Sequence, residues 1–188
     1  MKLLLIRHGS TIANEQQRYT GQQDVALSSL GQEQVAQLAL QLAIVPVDAI
    51  VTSPLQRARA TAEAIAHYHS VPLYEDTALR ELSYGCWEGA TQAEVKARTA
   101  DLVRLWKHFP TQCAIPGAEP LQQLDMRVTS ALRYWYERYP QAPLMWITHA
   151  GVIRVVLCRF HHIELDQWRL FHPANASITT VIVDHSML

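Results

Sequence analysis

Arg7, His8 and Gly9 stand together directly after the apolar run Leu3-Leu4-Leu5-Ile6. A guanidinium and an imidazole delivered to one point are two groups that seek phosphate. A glycine beside them lets the backbone turn tightly or lets a ligand come close. Alone the triplet is a weak signal, because a string of three letters recurs by chance. Two further segments end in the same way. Residues 48–52 run into Ser53-Pro54-Leu55-Gln56-Arg57, and residues 144–148 run into His149-Ala150-Gly151. Three buried strands, each followed at once by Arg or His, point to one anion-binding site.

The elements that must position these groups follow from periodicity. Residues 3–6, 48–52 and 144–148 read as short buried strands, 71–74 as a fourth, and 177–184, rich in Ile, Thr and Val, as a closing strand. Apolar residues at helical spacing predict a helix over 28–42, capped by Ser28 or Ser29, and another over 121–139. Ser53 as N-cap and Pro54 at the first helical position predict a helix over 54–68. A polar helix is expected over 91–109, a loop over 111–120, an irregular segment over 77–89 and a buried helix over 151–161. Strands alternating with helices imply an α/β sheet covered on both faces, where ligands bind beyond the carboxyl ends of the strands. His8, Arg57 and His149 all fall at such ends. Arg57 also sits in a first helical turn, where a cation is misplaced against the macrodipole unless both face an anion.

Bulk properties narrow the function. A chain of 188 residues, 49% apolar, suits one domain with a sizeable core. A net charge of −1 leaves no global basic field for nucleic acid or an anionic membrane. The apolar runs are too short to span a bilayer, and the N-terminal one too short for a signal-peptide core. Three cysteines, widely spaced and without a C-x-x-C pair, indicate a reducing compartment, so a cytoplasmic location is expected. His67 and His69, two apart on a predicted helix, do not share a face and make no metal pair. His161-His162 close the helix before them, and Trp135, Tyr136 and Tyr139 read as core and rim.

The chain resembles the phosphoglycerate-mutase-like histidine phosphatases. The resemblance is carried by Arg7-His8-Gly9-Ser10-Thr11 with Asn14, Leu27-Ser28-Ser29-Leu30-Gly31, and Ser53-Pro54-Leu55-Gln56-Arg57-Ala58 with Thr61-Ala62. It continues through Leu79-Arg80-Glu81-Leu82, Tyr84-Gly85-Cys86-Trp87-Glu88-Gly89 and Thr148-His149-Ala150-Gly151-Val152-Ile153-Arg154. It implies a three-layer α/β/α fold with a mostly parallel sheet, one domain over 1–188 with a cap-like insertion at about 76–120, no metal or cofactor, and catalysis through a phosphohistidine. His8 would be the nucleophile, with Arg7, Arg57 and His149 clamping the phosphoryl group and Glu81 as general acid and then base. The clamp should favour neutral His8, and a bound dianion should favour protonated His149. Asn14, the Gly21 amide, Tyr84 and Ala150 are the further substrate contacts expected.

The compact form with Trp87-Glu88-Gly89 is most similar to the alpha-ribazole phosphatase branch, which implies a substrate from cobalamin nucleotide-loop assembly. That branch often has Pro-Gly-Gly-Glu-Ser where this chain has Pro116-Gly117-Ala118-Glu119-Pro120. Mutase relatives carry a basic cluster after the Tyr84 position; here that region offers Lys96, Arg98, Arg104 and Lys107 without a tight arginine pair. A broad small-molecule phosphatase, a mutase-like enzyme, a phosphoprotein phosphatase and a non-catalytic phospho-ligand module stand as alternatives. The expected partner is a small phosphorylated substrate, and a homodimer is allowed for. Trp87 and Trp106 are the expected aromatic wall for a benzimidazole.

Overall fold

The computed structural model describes residues 1–188. Strand β1 (Lys2–Arg7) is followed by a short helix α1 (Ile12–Glu15), helix α2 (Ser29–Leu42), β2 (Ala49–Thr52), α3 (Gln56–Ala66) and β3 (Leu73–Glu75). Helices α4 (Gln92–Arg98), α5 (Ala100–His108) and α6 (Leu121–Arg138) come next, then β4 (Leu144–Thr148), α7 (Ala150–Phe160) and β5 (Ile178–Ile182). The sheet order is β3-β2-β4-β1-β5, with only β5 antiparallel. The mixed α/β architecture with a mostly parallel sheet is therefore the one expected. No helix is long and apolar enough to cross a membrane.

Alternation along the strands makes the layers. Leu4, Ile6, Ile50, Met145 and Ile147 face Leu38, Ala39 and Leu42 of α2 and Ala58, Ala62 and Ile65 of α3. Leu3, Leu5, Val51 and Trp146 face the opposite way, onto α6 and α7. Register brings the carboxyl ends together: Arg7 pairs with Thr148, and Thr52 with Ile147. Arg7-His8, Ser53 and His149 thus emerge side by side.

Several local expectations change in the fold. Helix α3 begins at Gln56, with Leu55 at the N-cap and no side-chain cap; the Ser53 hydroxyl accepts the Leu55 N–H at 3.3 Å, ahead of the helix, and also bonds His149. The fourth strand lies at Leu73–Glu75 rather than 71–74, its register set by Ile50 opposite Leu73 and Thr52 opposite Glu75. The helix expected over 91–109 is two helices. Thr91 caps the first in a reciprocal box with Glu94, and Thr99 breaks the run at φ −140° and ψ 50°, its hydroxyl donating to the Val95 carbonyl. His67 and His69 lie past the end of α3, so the helical argument about them does not apply. Of the two candidate caps for α2, Ser28 does the work by accepting the Gly31 N–H.

Candidate active site

The geometry around His8 fixes its tautomer. Nδ1 lies 2.7 Å from the Gly9 carbonyl, which can only accept, so the proton sits on Nδ1 and Nε2 keeps its lone pair. The Arg57 Nε–H donates to that Nε2 at 3.2 Å. Arg57 is only 1% exposed, and its Nη1 and Nη2 donate to the carbonyls of Gln23 and Gly21, each at 2.8 Å. Burial draws its pKa down to about 10, with Glu81 and Asp24 acting the other way. The cation at the start of α3 is thus held by backbone carbonyls, and the Gln56 N–H beside it is taken by the Asp24 carboxylate at 2.7 Å.

His149 completes a pair of imidazoles, its ring centroid 5.0 Å from that of His8. Its Nε2 shares a 2.8 Å hydrogen bond with the Ser53 hydroxyl, while its buried Nδ1 has no partner in the protein. Burial, then Arg57, hold both imidazoles well below the ordinary histidine range, with Arg7 adding to the effect. Both are neutral in the unliganded protein at pH 7. Arg7 donates from Nη1 to the Pro173 carbonyl at 2.8 Å and keeps a buried Nε without a partner. Burial lowers its pKa, Glu81 opposes that, and the charge of Arg154 adds to it.

Glu81 is buried and does not pair with Arg80. Its Oε1 accepts the N–H groups of Leu82 (2.8 Å) and Gly151 (3.0 Å). Only glycine permits that approach at 151, because a Cβ there would collide with Oε1. Gly9 is needed for packing rather than for a ligand: a Cβ there would meet the Gly31 carbonyl at 2.6 Å. The Glu81 segment is clamped from behind by Arg127 of α6, which donates to the carbonyls of Ala78, Arg80 and Glu81. Arg127 is itself paired with Glu119 through Nε (2.7 Å) and Nη2 (2.9 Å). Glu119 is the glutamate of the Pro116–Pro120 segment, whose departure from the pattern therefore leaves this clamp intact. Glu88 of Trp87-Glu88-Gly89 likewise has a structural task, accepting from the N–H groups of Gln22 and Tyr84 and the Ser83 hydroxyl.

These groups line a cavity of about 230 Å³. Of the expected residues, Arg7, His8, Gly21, Arg57, Glu81, Tyr84 and Ala150 border it; His149 does not, though its ring neighbours that of His8. Gly21 contributes its carbonyl to Arg57, and its amide makes no hydrogen bond within the protein. Asn14 does not border the cavity; its Oδ1 accepts from the Thr11 N–H and from Asn175, completing the cap of α1. Trp106 borders the cavity and Trp87 does not: the latter is core, against Tyr19 and Trp106. Sequence reasoning missed Arg18, Tyr19, Thr20, Gln92, Arg154 and Arg169 as lining residues. Arg154 lies in the segment that carried the resemblance, four residues past Ala150 and hence one helical turn on. Arg169 comes from a 3₁₀ turn, Leu165–Leu170, with no periodic signal.

The pattern of the histidine phosphatase superfamily (branch 1) matches residues 3–187. Phosphoserine phosphatase 1 of Hydrogenobacter thermophilus is 28% identical over 96% of this chain and 86% of its own. Among solved structures, Bacillus stearothermophilus YhfR superposes with a TM-score of 0.92 at 28% identity, covering 98% of this chain and 92% of that one. The alpha-ribazole phosphatase from Shigella flexneri gives 0.88 at 24% identity, covering 99% and 92%, a likeness of fold.

Proposed function

The chain belongs to the histidine phosphatase superfamily (branch 1), and on that footing we propose that it hydrolyses small phosphomonoesters through a phosphohistidine on His8. The observation that carries this reading is the His8 tautomer, with an Nε2 lone pair held between Arg57 and a cavity that also contains Arg7 and Glu81. In the first step the Arg57 Nε–H leaves the Nε2 lone pair for a phosphoryl oxygen, Nε2 attacks phosphorus, the N–P bond forms and the ester P–O bond breaks, while Glu81 gives its proton to the leaving oxygen. In the second, Glu81 takes a proton from water, the water oxygen attacks phosphorus, and the N–P bond breaks to release inorganic phosphate. Arg7, with its unpartnered Nε, and Arg57 supply guanidinium N–H donors to the equatorial oxygens, and the neighbouring His149 is the further donor. Lys96, Arg98, Arg104 and Lys107 all lie outside the cavity, whose basic lining beyond Arg7 and Arg57 is Arg18, Arg154 and Arg169.

The finer reading, an alpha-ribazole 5′-phosphate phosphatase, draws support from Trp106 as an aromatic wall. Against it, the Arg169 guanidinium lies over that ring at 5.8 Å, and the cavity is below the roughly 300–1,000 Å³ usual for drug-sized ligands. The test is rapid quenching of turnover with p-nitrophenyl phosphate under alkaline conditions. Phosphate should be recovered on His8 in a base-stable, acid-labile form, and turnover should persist in excess chelator. Phosphate on a serine or aspartate would refute the mechanism. A panel including alpha-ribazole phosphate assigns the ester.

A further inference from the structure

The backbone that carries His8 is held by the residues that lead into β5. The Pro173 carbonyl accepts from Arg7 Nη1 at 2.8 Å, and the Ser177 carbonyl accepts the Arg7 N–H at 3.2 Å. Between them the Ala176 N–H reaches the carbonyls of both Arg7 and His8, each at 3.1 Å. It does so from φ 52°, a left-handed conformation that is costly for a residue with a Cβ and persists only where the surroundings fix it. Asn175 adds its side chain. Nδ2 lies 3.1 Å from the His8 carbonyl, 3.3 Å from the Gly9 carbonyl and 3.1 Å from Asn14 Oδ1. Both carbonyls can only accept, so it is the amide nitrogen that faces them.

As a result the two peptide planes after His8 are each pinned at both ends. The first has its carbonyl on Ala176 and Asn175 and its N–H, from Gly9, on the Thr61 hydroxyl at 3.3 Å. The second has its carbonyl on His8 Nδ1 and Asn175 and its N–H, from Ser10, on Gln34 Oε1 at 2.9 Å. Asn175 is the one side chain that bonds both. The second plane matters for chemistry, because the Gly9 carbonyl keeps the His8 proton on Nδ1. Which ring nitrogen carries the proton is set by the bond the other makes, and a histidine in water favours Nε2, the atom that has to attack. The reactive tautomer must therefore be imposed, and the carbonyl imposes it only while it is aimed. Once phosphorus bonds to Nε2 the ring becomes cationic, and the bond from Nδ1–H gains charge assistance. A contact that strengthens in the transition state acts on kcat rather than on binding.

We propose that Asn175 is a positioning residue for His8: by bridging the carbonyls of His8 and Gly9 it fixes the peptide plane that holds the nucleophile in its reactive tautomer. This rests on the reading of His8 as the nucleophile. Asn175 does not border the cavity, so it acts through Gly9 rather than on substrate.

The test uses two variants. Asn175→Asp keeps the shape of the side chain and removes its N–H donors, whereas Asn175→Ala removes the side chain. In each, kcat for p-nitrophenyl phosphate should fall by about tenfold, the worth of one hydrogen bond. KM and inhibition by inorganic phosphate should hardly move, because Arg7 and Arg57 keep their backbone contacts. Nitrogen NMR of the imidazoles, which needs no turnover, should show His8 protonated on Nδ1 in the wild type and a share of the Nε2–H form in both variants. A wild-type His8 with its proton on Nε2, or variants whose tautomer or kcat matches the wild type, overturns the proposal. So does a fall in kcat matched by an equal weakening of phosphate inhibition, which marks a general loosening of the site. If no ester is turned over, the hydrolase reading falls, and the spectra alone decide Asn175. Should neither variant fold, the wild type decides: orthovanadate bound at His8 should shift the side-chain amide signals of Asn175, and signals that stay put overturn the role.

Discussion

Lowering the pH should destabilise this protein through the two imidazoles of its site. Both are buried and held well below the ordinary histidine value of 6.5. Above that value neither the folded nor the unfolded chain protonates them, and they contribute no slope. Below it the unfolded chain binds a proton at each that the native site refuses, so stability falls as pH falls. The slope is about 1.4 kcal/mol per pH unit for each group, until the folded values are reached. At pH 5.5 the loss is roughly 1.4 kcal/mol per histidine, or about 3 kcal/mol for the pair, a large share of the 5–15 kcal/mol typical of a domain. The carboxylates with lowered values, Glu94 and Asp184, are surface groups that titrate below this window. Urea unfolding at half-unit steps from pH 7.5 to 5.5 reads the slope directly. His8→Asn and His149→Gln should each remove about half of it. A wild-type slope no steeper than that of the double variant would refute the assignment of neutral, buried imidazoles. The same shift has a kinetic face: an ordinary histidine is about nine-tenths protonated at pH 5.5. The acid limb of kcat/KM for p-nitrophenyl phosphate should therefore lie well below 6.5.

The parts of the site that were legible from sequence are those delivered by strands. A buried strand announces itself by its apolar run, and the residue after it lies at a fixed place on the sheet. His8, Arg57 and His149 could therefore be assigned to one pocket before any contact was known. Glu81 was different: nothing in its own segment distinguishes a buried acid from a surface one, and only the resemblance singled it out. Its position depends on Arg127 and Glu119, which meet across 8 residues of sequence in a loop–helix pairing that no periodicity encodes. Ser53 shows the opposite failure. Ser-Pro reads locally as a helix start, but the hydroxyl accepts the Leu55 N–H and bonds His149, 96 residues away, and α3 begins later without a side-chain cap. Arg169 carried no signal at all, since its place in the cavity depends on which aromatic face it lies over. Local chemistry brought Arg7, His8 and Arg57 to one cavity; Arg169 reaches it only through tertiary packing.

Two further perturbations separate the support of Glu81 from its chemistry. Arg127→Met removes the clamp on three carbonyls and leaves the part-buried Glu119 without its partner. Losing these charge-assisted hydrogen bonds should cost about 1.5–3 kcal/mol in urea unfolding. In the protein that remains folded, hydrolysis should fall more for alkyl phosphates than for p-nitrophenyl phosphate, whose leaving oxygen needs little proton help; equal losses would assign Arg127 to stability alone. Gly151→Ala is the sharper probe, because the added methyl meets Glu81 Oε1 and, farther off, the Leu124 side chain. Alanine suits the first turn of a helix at least as well as glycine, so the backbone of α7 has no reason to suffer. What must yield is the carboxylate, which loses the Gly151 N–H that positions it. The expected outcome is a thermal midpoint near wild type and a tenfold or greater loss with alkyl phosphates, of the order of one charge-assisted hydrogen bond. The burst of p-nitrophenol that reports attack by His8 should survive. Full activity of Gly151→Ala toward alkyl esters would mean that Glu81 works from a position this structure does not show.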